Sequence, residues 1–214
     1  MMNLNVKKLA IIGITAALYA VLTVAIAPIA YGPIQFRFSE LMVLLVFINP
    51  IFAPGLVLGC AIANIFSPLG IIDVIFGTMG TLCTVIAISK TKSLFVATLW
   101  PTIFCIFVGF ELWWISKLPF FYTTATVMLG EFVVVTIIGY PLFRYILKNK
   151  KVVSMLKEYW YIKSGFEFFE PLFLWNFLTL YLKIIFTIYN YWVIIKKVFY
   201  TKTNVFLWGK EMWF

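Results

Sequence analysis

The chain has 214 residues, of which 64% are hydrophobic, 20% aromatic and 12% charged, with a mean hydropathy of +1.03. Those values exclude an ordinary soluble domain. The net charge of +9 does not point to nucleic acid either, because the basic residues punctuate apolar runs and build no extended polar surface.

Uncharged runs occupy 9–30, 41–72, 74–89, 93–110 and 118–143, the last broken only by Glu131. Most approach or exceed the roughly 20 residues that cross a bilayer as helix. The first run continues into Pro28 and Tyr31 without a small-residue cleavage site, so it reads as a first span and not as a secretory signal. The run 41–72 is too long for one crossing: 32 residues make roughly 48 Å of helix against a hydrocarbon core of about 30 Å. Asn49-Pro50 and Ala53-Pro54 supply the breaks. Splitting it there gives six spans by about residue 147, an all-α integral membrane bundle of six helices. Cys60, Cys83 and Cys105 lie in apolar runs with no Cys-x-x-Cys spacing and read as packing residues. The chain has no His for a metal site, and no cofactor is expected.

Charge gives the topology. With the amino terminus inside, Lys7, Lys8, Lys90, Lys92, Arg144, Lys148, Lys150 and Lys151 fall on the inner side, and only Arg37 and Lys117 fall outside. The same topology puts Glu40, Asn64, Asp73 and Glu111 near the outer ends of their spans. Glu131 falls about 13 Å into the sixth span by helical rise. Carboxylates at such depth must face a cavity or a partner and not lipid, which predicts a polar pocket opening outward. Individual residues admit plainer roles. Arg37 and Glu111 can snorkel or pair with each other, and Asp73, following Pro68-Leu69-Gly70, can cap the fourth span. Glu40 and Glu131 are best explained by the pocket.

Small residues form a second pattern. Gly13 and Ala17, and Ala16 and Ala20, stand four apart in the first span, Gly55, Gly59 and Ala63 line a stripe of the third, and Asp73, Gly77, Gly80, Thr81 and Thr84 share a face of the fourth. Ordinary bundle packing accounts for such stripes as well as any docking surface does.

Three stretches, "AYGPIQFRFSELMVLL" at 30–45, "GLVLGCAIANIFSPLGIIDVIFGTMGTL" at 55–82 and "MLGEFVVVTIIGYPLF" at 128–143, resemble the queuosine-precursor transporter family, QueT. The resemblance covers about residues 3–155. It implies the substrate-binding S component of an energy-coupling factor (ECF) importer in a bacterial plasma membrane, a non-enzymatic subunit with both ends of the 1–155 bundle cytoplasmic. Its implied partners are a transmembrane coupling protein, two ABC-type ATPases and a 7-deazaguanine base, queuine or a precursor of it. The chain has no P-loop Gly-x-x-x-x-Gly-Lys, so ATP hydrolysis must lie elsewhere. On this resemblance Gln35, Arg37, Glu40, Asn64, Asp73 and Glu131 are the candidate substrate-binding residues. A carboxylate, Glu40 or Asp73, would accept from N1–H and the exocyclic amine of the base, and Gln35, Asn64 or Arg37 would donate to its O6. Glu131 would neutralise a 7-aminomethyl group where one is present, and Tyr31, Phe36 or Phe38 would stack on the ring. Gly13, Ala16, Ala17 and Ala20 match the surface by which such subunits dock on the coupling protein.

Rival readings are an S component for another vitamin-like or nucleobase substrate, a stand-alone secondary transporter, and a membrane enzyme. The second would show inverted repeats, which are not detectable, and the third a recognisable catalytic motif, which is lacking. Residues 156–214 form a separate unit of vocabulary: 20 of these 59 residues are Phe, Trp or Tyr and none is Ala. Three origins fit that bias: a readthrough or frameshifted tail, a seventh span at 172–195, or an interfacial aromatic-rich helix.

Overall fold

The computed structural model describes residues 4–32 and 34–158, and every regular element among them is helical. The remainder of the aromatic-rich tail, including 172–195, lies outside the described residues. Apart from a single helical turn at Ala27–Ala30, the helices in chain order are α1 (Leu4–Ala25), α2 (Phe38–Ile48), α3 (Pro50–Asn64), α4 (Ile71–Lys90), α5 (Leu94–Ser116), α6 (Phe120–Lys148) and α7 (Lys150–Glu158). Lys8–Ala25 of α1, together with α4, α5 and α6, are long and apolar enough to cross a membrane, whereas α2 and α3 are shorter apolar helices.

The expected division of the run 41–72 falls at Asn49. Its backbone is extended, with φ −153° and ψ 115°, and its side-chain oxygen accepts from the Ile51 amide at 3.1 Å, so it caps the next helix while Pro50 occupies the first turn. Its side-chain nitrogen donates to the Leu156 carbonyl at 2.8 Å and ties this break to α7. One buried amide thus ends one helix, starts another and anchors a third.

Three helices depart from regular α geometry where the polar residues sit. The first part of α2, Phe38–Leu44, is a 3₁₀ helix, which puts residues three apart on one side. The two halves of α5 meet at Cys105, whose amide reaches back to the carbonyls of Pro101 and Thr102, Pro101 being unable to donate to the ladder. A π-helical stretch, Phe132–Ile138, follows Glu131 in α6.

Burial is arranged for lipid. Ile14, Leu18, Phe121 and Tyr145 are exposed, while Gln35, Arg37, Glu40, Asn64, Asp73, Glu111 and Glu131 are buried. Polar groups turn inward because lipid has no partner to offer them.

The stripe of small residues on α3 packs against α1. A Cβ at Gly55 would lie 2.7 Å from the Ile12 carbonyl oxygen, and one at Gly59 would lie 2.7 Å from that of Ala16 and 2.8 Å from Tyr19 Cβ. Both glycines are required by backbone contact, the close approach expected of helices in lipid. Ala16 and Ala20 are buried in the bundle, whereas Gly13 and Ala17 are exposed, with nothing near the position a Gly13 Cβ would take.

Gly59→Leu is expected to destabilise the bundle by at least the ~1–3 kcal/mol of an overpacked contact, because backbone and not a flexible side chain must yield. Gly13→Leu is expected to be tolerated. Thermal midpoints of the two variants in detergent check the pair; equal midpoints would show that α1 and α3 are not held at this distance.

Candidate functional site

The stretch between α1 and α2 is folded into the bundle by its backbone. The Phe36 amide donates to the Ile29 carbonyl at 3.1 Å, and Gly130 of α6 lies so close to the Gln35 backbone that any Cβ there would collide with it. This close approach carries Gln35, Arg37 and Glu40 inward together.

Arg37 occupies the centre of that stretch. Its Nη2 donates to Asn64 Oδ1 at 3.1 Å and stands 3.8 Å from Asp73 Oδ2, its Nε donates to the Ala30 carbonyl at 3.4 Å, and its guanidinium lies 5.1 Å from the centroid of the Tyr31 ring. A planar fork with several donors suits such a set better than an ammonium would. The Tyr31 hydroxyl donates to the Ala63 carbonyl at 2.6 Å, and burial raises its pKa, so the phenol keeps the proton it donates. Asn64 in turn donates to the Asp73 carbonyl at 3.1 Å, and a Cβ on Gly77 would strike the Asn64 amide. The ends of α3 and α4 are thereby held on either side of one cation.

A second set of bonds joins α1 to α2. The buried Tyr19 hydroxyl donates to the Glu40 carboxylate, and the hydroxyls of Thr23 and Ser39 are 2.6 Å apart. Glu40 is therefore held from behind by α1 while its remaining capacity faces inward.

Inward of both sets is a cavity of about 380 Å³, counting the open space at its mouth. Gln35, Arg37, Glu40 and Glu131 line it with polar groups, α4 contributes Gly77, Gly80, Thr81 and Thr84, and α5 and α6 add Pro101, Phe104, Cys105, Val108 and Val127. Apolar walls with a few converging polar groups are the usual form of a small-molecule site. Among the Asp, Glu, Lys and Arg side chains of this lining, Arg37 is the cation and the other two are acids. The Glu131 Oε1 atom is buried without a hydrogen-bond partner.

Of the six residues expected to bind substrate, Gln35, Arg37, Glu40 and Glu131 line the cavity; Asn64 and Asp73 stand behind Arg37. Asp73 does not cap α4: Gly70, with φ +59°, takes that position, and Asp73 sits in the first turn paired with Arg37. Glu111 is not an interfacial snorkel, for it is fully buried, and the carboxylate within ion-pair distance of Arg37 is that of Asp73. Stacking groups also differ from expectation. Phe38 is exposed, one face of Tyr31 is taken by Arg37, and the aromatic side chain in the lining is Phe104, which stacks between Trp100 and Phe107. Tyr19 escaped sequence reasoning because an aromatic in an apolar helix carries no signal of its hydroxyl's partner; its place one turn after Ala16 and next to Ala20 was the available hint.

Residues 9–148 match the family model described as QueT transporter. The queuosine precursor transporter QueT of Lactococcus lactis subsp. cremoris (strain MG1363) is 33% identical over 138 residues, covering 56% of this chain and 81% of that relative. No solved structure matches the chain.

Arg37→Met is expected to cost ~3–5 kcal/mol of stability, the usual consequence of removing one member of a buried ion pair. Adding Asp73→Asn should recover part of the loss, since the second change removes a stranded carboxylate. Thermal unfolding of both variants in detergent measures this, and a single variant as stable as the parent would show that the guanidinium does not organise the site.

Proposed function

The chain belongs to the QueT transporter family, and we propose that it is the substrate-binding S component of an ECF-type importer that captures a 7-deazaguanine precursor of queuosine. The family and the relative are transporters, not enzymes, and the apolar helices make this a multi-pass membrane protein. The observation that carries the reading is the cavity itself, which pairs an apolar wall with one amide, one guanidinium and two carboxylates drawn from the loop, α2 and α6.

A guanine-like ring matches that donor set. Its N1–H and exocyclic amine form adjacent donors for one carboxylate, and Glu40, already positioned by Tyr19, is the group we assign to them. Gln35 and Arg37 supply donors for the O6 acceptor, and Phe104 offers an aromatic surface. Asn64 and Asp73 act by holding Arg37. In this reading α2 and α3 complete a six-helix bundle in the bacterial plasma membrane, with Lys90, Lys92, Lys148, Lys150 and Lys151 on the cytoplasmic side.

Delivery across the membrane then requires the coupling protein and two ABC-type ATPases. Within the small-residue motif of α1, Gly13 and Ala17 lie on the exposed face beside Ile14 and Leu18, while Ala16 and Ala20 pack inside. We assign docking to the exposed pair and support of that face to the buried pair.

Glu40→Gln is expected to weaken binding of a 7-deazaguanine base by about tenfold or more, ~1.4 kcal/mol, because the amide turns an NH₂ donor toward the donor edge of the ring. Equilibrium binding to purified protein checks it, and an unchanged dissociation constant in a folded variant would remove Glu40 from the site. Ala17→Trp is expected to abolish cellular uptake and leave binding by the isolated subunit nearly intact. Loss of both together would mean that this face serves folding and not coupling.

A further inference from the structure

Four buried carboxyl groups, those of Glu40, Asp73, Glu111 and Glu131, share the bundle with Arg37, and of these acids the cavity lining takes in Glu40 and Glu131. Glu111 lies outside it. It sits in the second half of α5, which packs against α4 and α6, and none of its surface is exposed. Among the described residues no donor reaches either of its oxygens. The group within side-chain hydrogen-bonding range is another acceptor, the Asp73 carboxylate in the first turn of α4. Arg37 makes its ion pair with Asp73 and acts on Glu111 through a longer-range field. In the part of α6 that packs here, Phe120–Glu131, the titratable side chains are Tyr122, which is exposed, and Glu131, whose charged neighbours are Glu40 and Arg37. Lys117, just past the end of α5, is exposed as well. Two acceptors therefore face each other with no donor between them.

We propose that Glu111 is a positioning residue that acts as a neutral carboxylic acid, donating its proton in a hydrogen bond to Asp73 and so fixing the carboxylate that holds Arg37 at the cavity. Two ionised carboxylates at this range repel, and against the one charge of Arg37 they would leave an uncompensated negative charge in an interior surrounded by lipid. One proton removes both penalties. Glu111 donates, Asp73 accepts, and the charge that Asp73 keeps is matched by Arg37. Ionisation of Glu111 would instead set a second acid in competition for the guanidinium and push the first turn of α4 away from α5. The contribution is complete while Glu111 keeps its proton and is lost as pH rises through its ionisation. The inference goes beyond the 7-deazaguanine reading and needs it only for the ligand used to measure affinity.

The experiment compares the purified full chain with Glu111→Gln and Glu111→Leu. Infrared spectra of the parent at neutral pH are expected to contain the C=O stretch of a protonated carboxyl group that disappears in Glu111→Gln. The amide keeps the shape and a donor for Asp73, so Glu111→Gln is expected to bind a 7-deazaguanine base within about threefold of the parent. Leucine is of similar size and has no donor, and Glu111→Leu is expected to bind about tenfold or more weakly. Raising the pH should lower the thermal midpoint of the parent more than that of Glu111→Gln, since only the parent has this proton to lose. The parent and Glu111→Gln suffice where Glu111→Leu fails to fold. An acid band that Glu111→Gln leaves unchanged, the same pH profile in both proteins, affinity lost in Glu111→Gln, or Glu111→Leu binding as well as Glu111→Gln would each overturn the proposal. So would a midpoint raised by sodium in the parent alone, which would show a bound cation in place of the proton. Binding of the base by none of the three proteins would overturn the 7-deazaguanine reading, and the infrared and pH comparisons would still decide the role of Glu111.

Discussion

A buried guanidinium governs this bundle. Arg37 is 5% exposed, and taking such a charge out of water is tolerable only where partners are already in place. Those partners come from three places along the chain: Tyr31 and Ala30 in the connection after α1, Asn64 at the end of α3, and Asp73 in the first turn of α4. The requirement that all of them converge sets the entry of α2, the approach of α3 to α4 and the location of the cavity.

Glycine makes the convergence sterically feasible. Gly130 admits the Gln35 backbone against α6, Gly77 admits the Asn64 amide against α4, and Gly55 and Gly59 admit α1 against α3. In lipid the gain from such contacts is dispersion and hydrogen bonding, because burial of apolar surface gives no advantage over contact with acyl chains. Close backbones also explain why a loop of irregular geometry can lie inside the bundle: its polar groups meet helix carbonyls and side chains in place of water.

The two faces of α1 connect the cavity to the exterior. Tyr19 and Thr23 bond to Glu40 and Ser39 on the inner side, and Gly13 and Ala17 leave the outer side smooth. A single helix therefore supports the residue assigned to the base and offers the surface assigned to the coupling protein. That economy follows from the 3.6-residue period, which sends positions 16, 19, 20 and 23 one way and 13, 14, 17 and 18 the other.

Much of this protein was determined by sequence alone. Mean hydropathy and the length of the uncharged runs required membrane helices, Asn49-Pro50 required the division of the run 41–72, and rare polar residues within apolar segments required an interior to receive them. Gln35, Arg37, Glu40 and Glu131 were legible as site candidates for that reason: in lipid, an ionisable side chain has few other places to go. Partnership was not legible. Whether Arg37 meets Asp73 or Glu111, whether Ala16 faces α3 or the exterior, and which of many aromatics reaches the cavity depend on helix rotation and on approach distances set by contacts far apart in the chain. Periodicity places residues on a common face but leaves open what that face meets, so the pairing of Tyr19 with Glu40, 21 positions away, was decided only when α1 and α2 packed together.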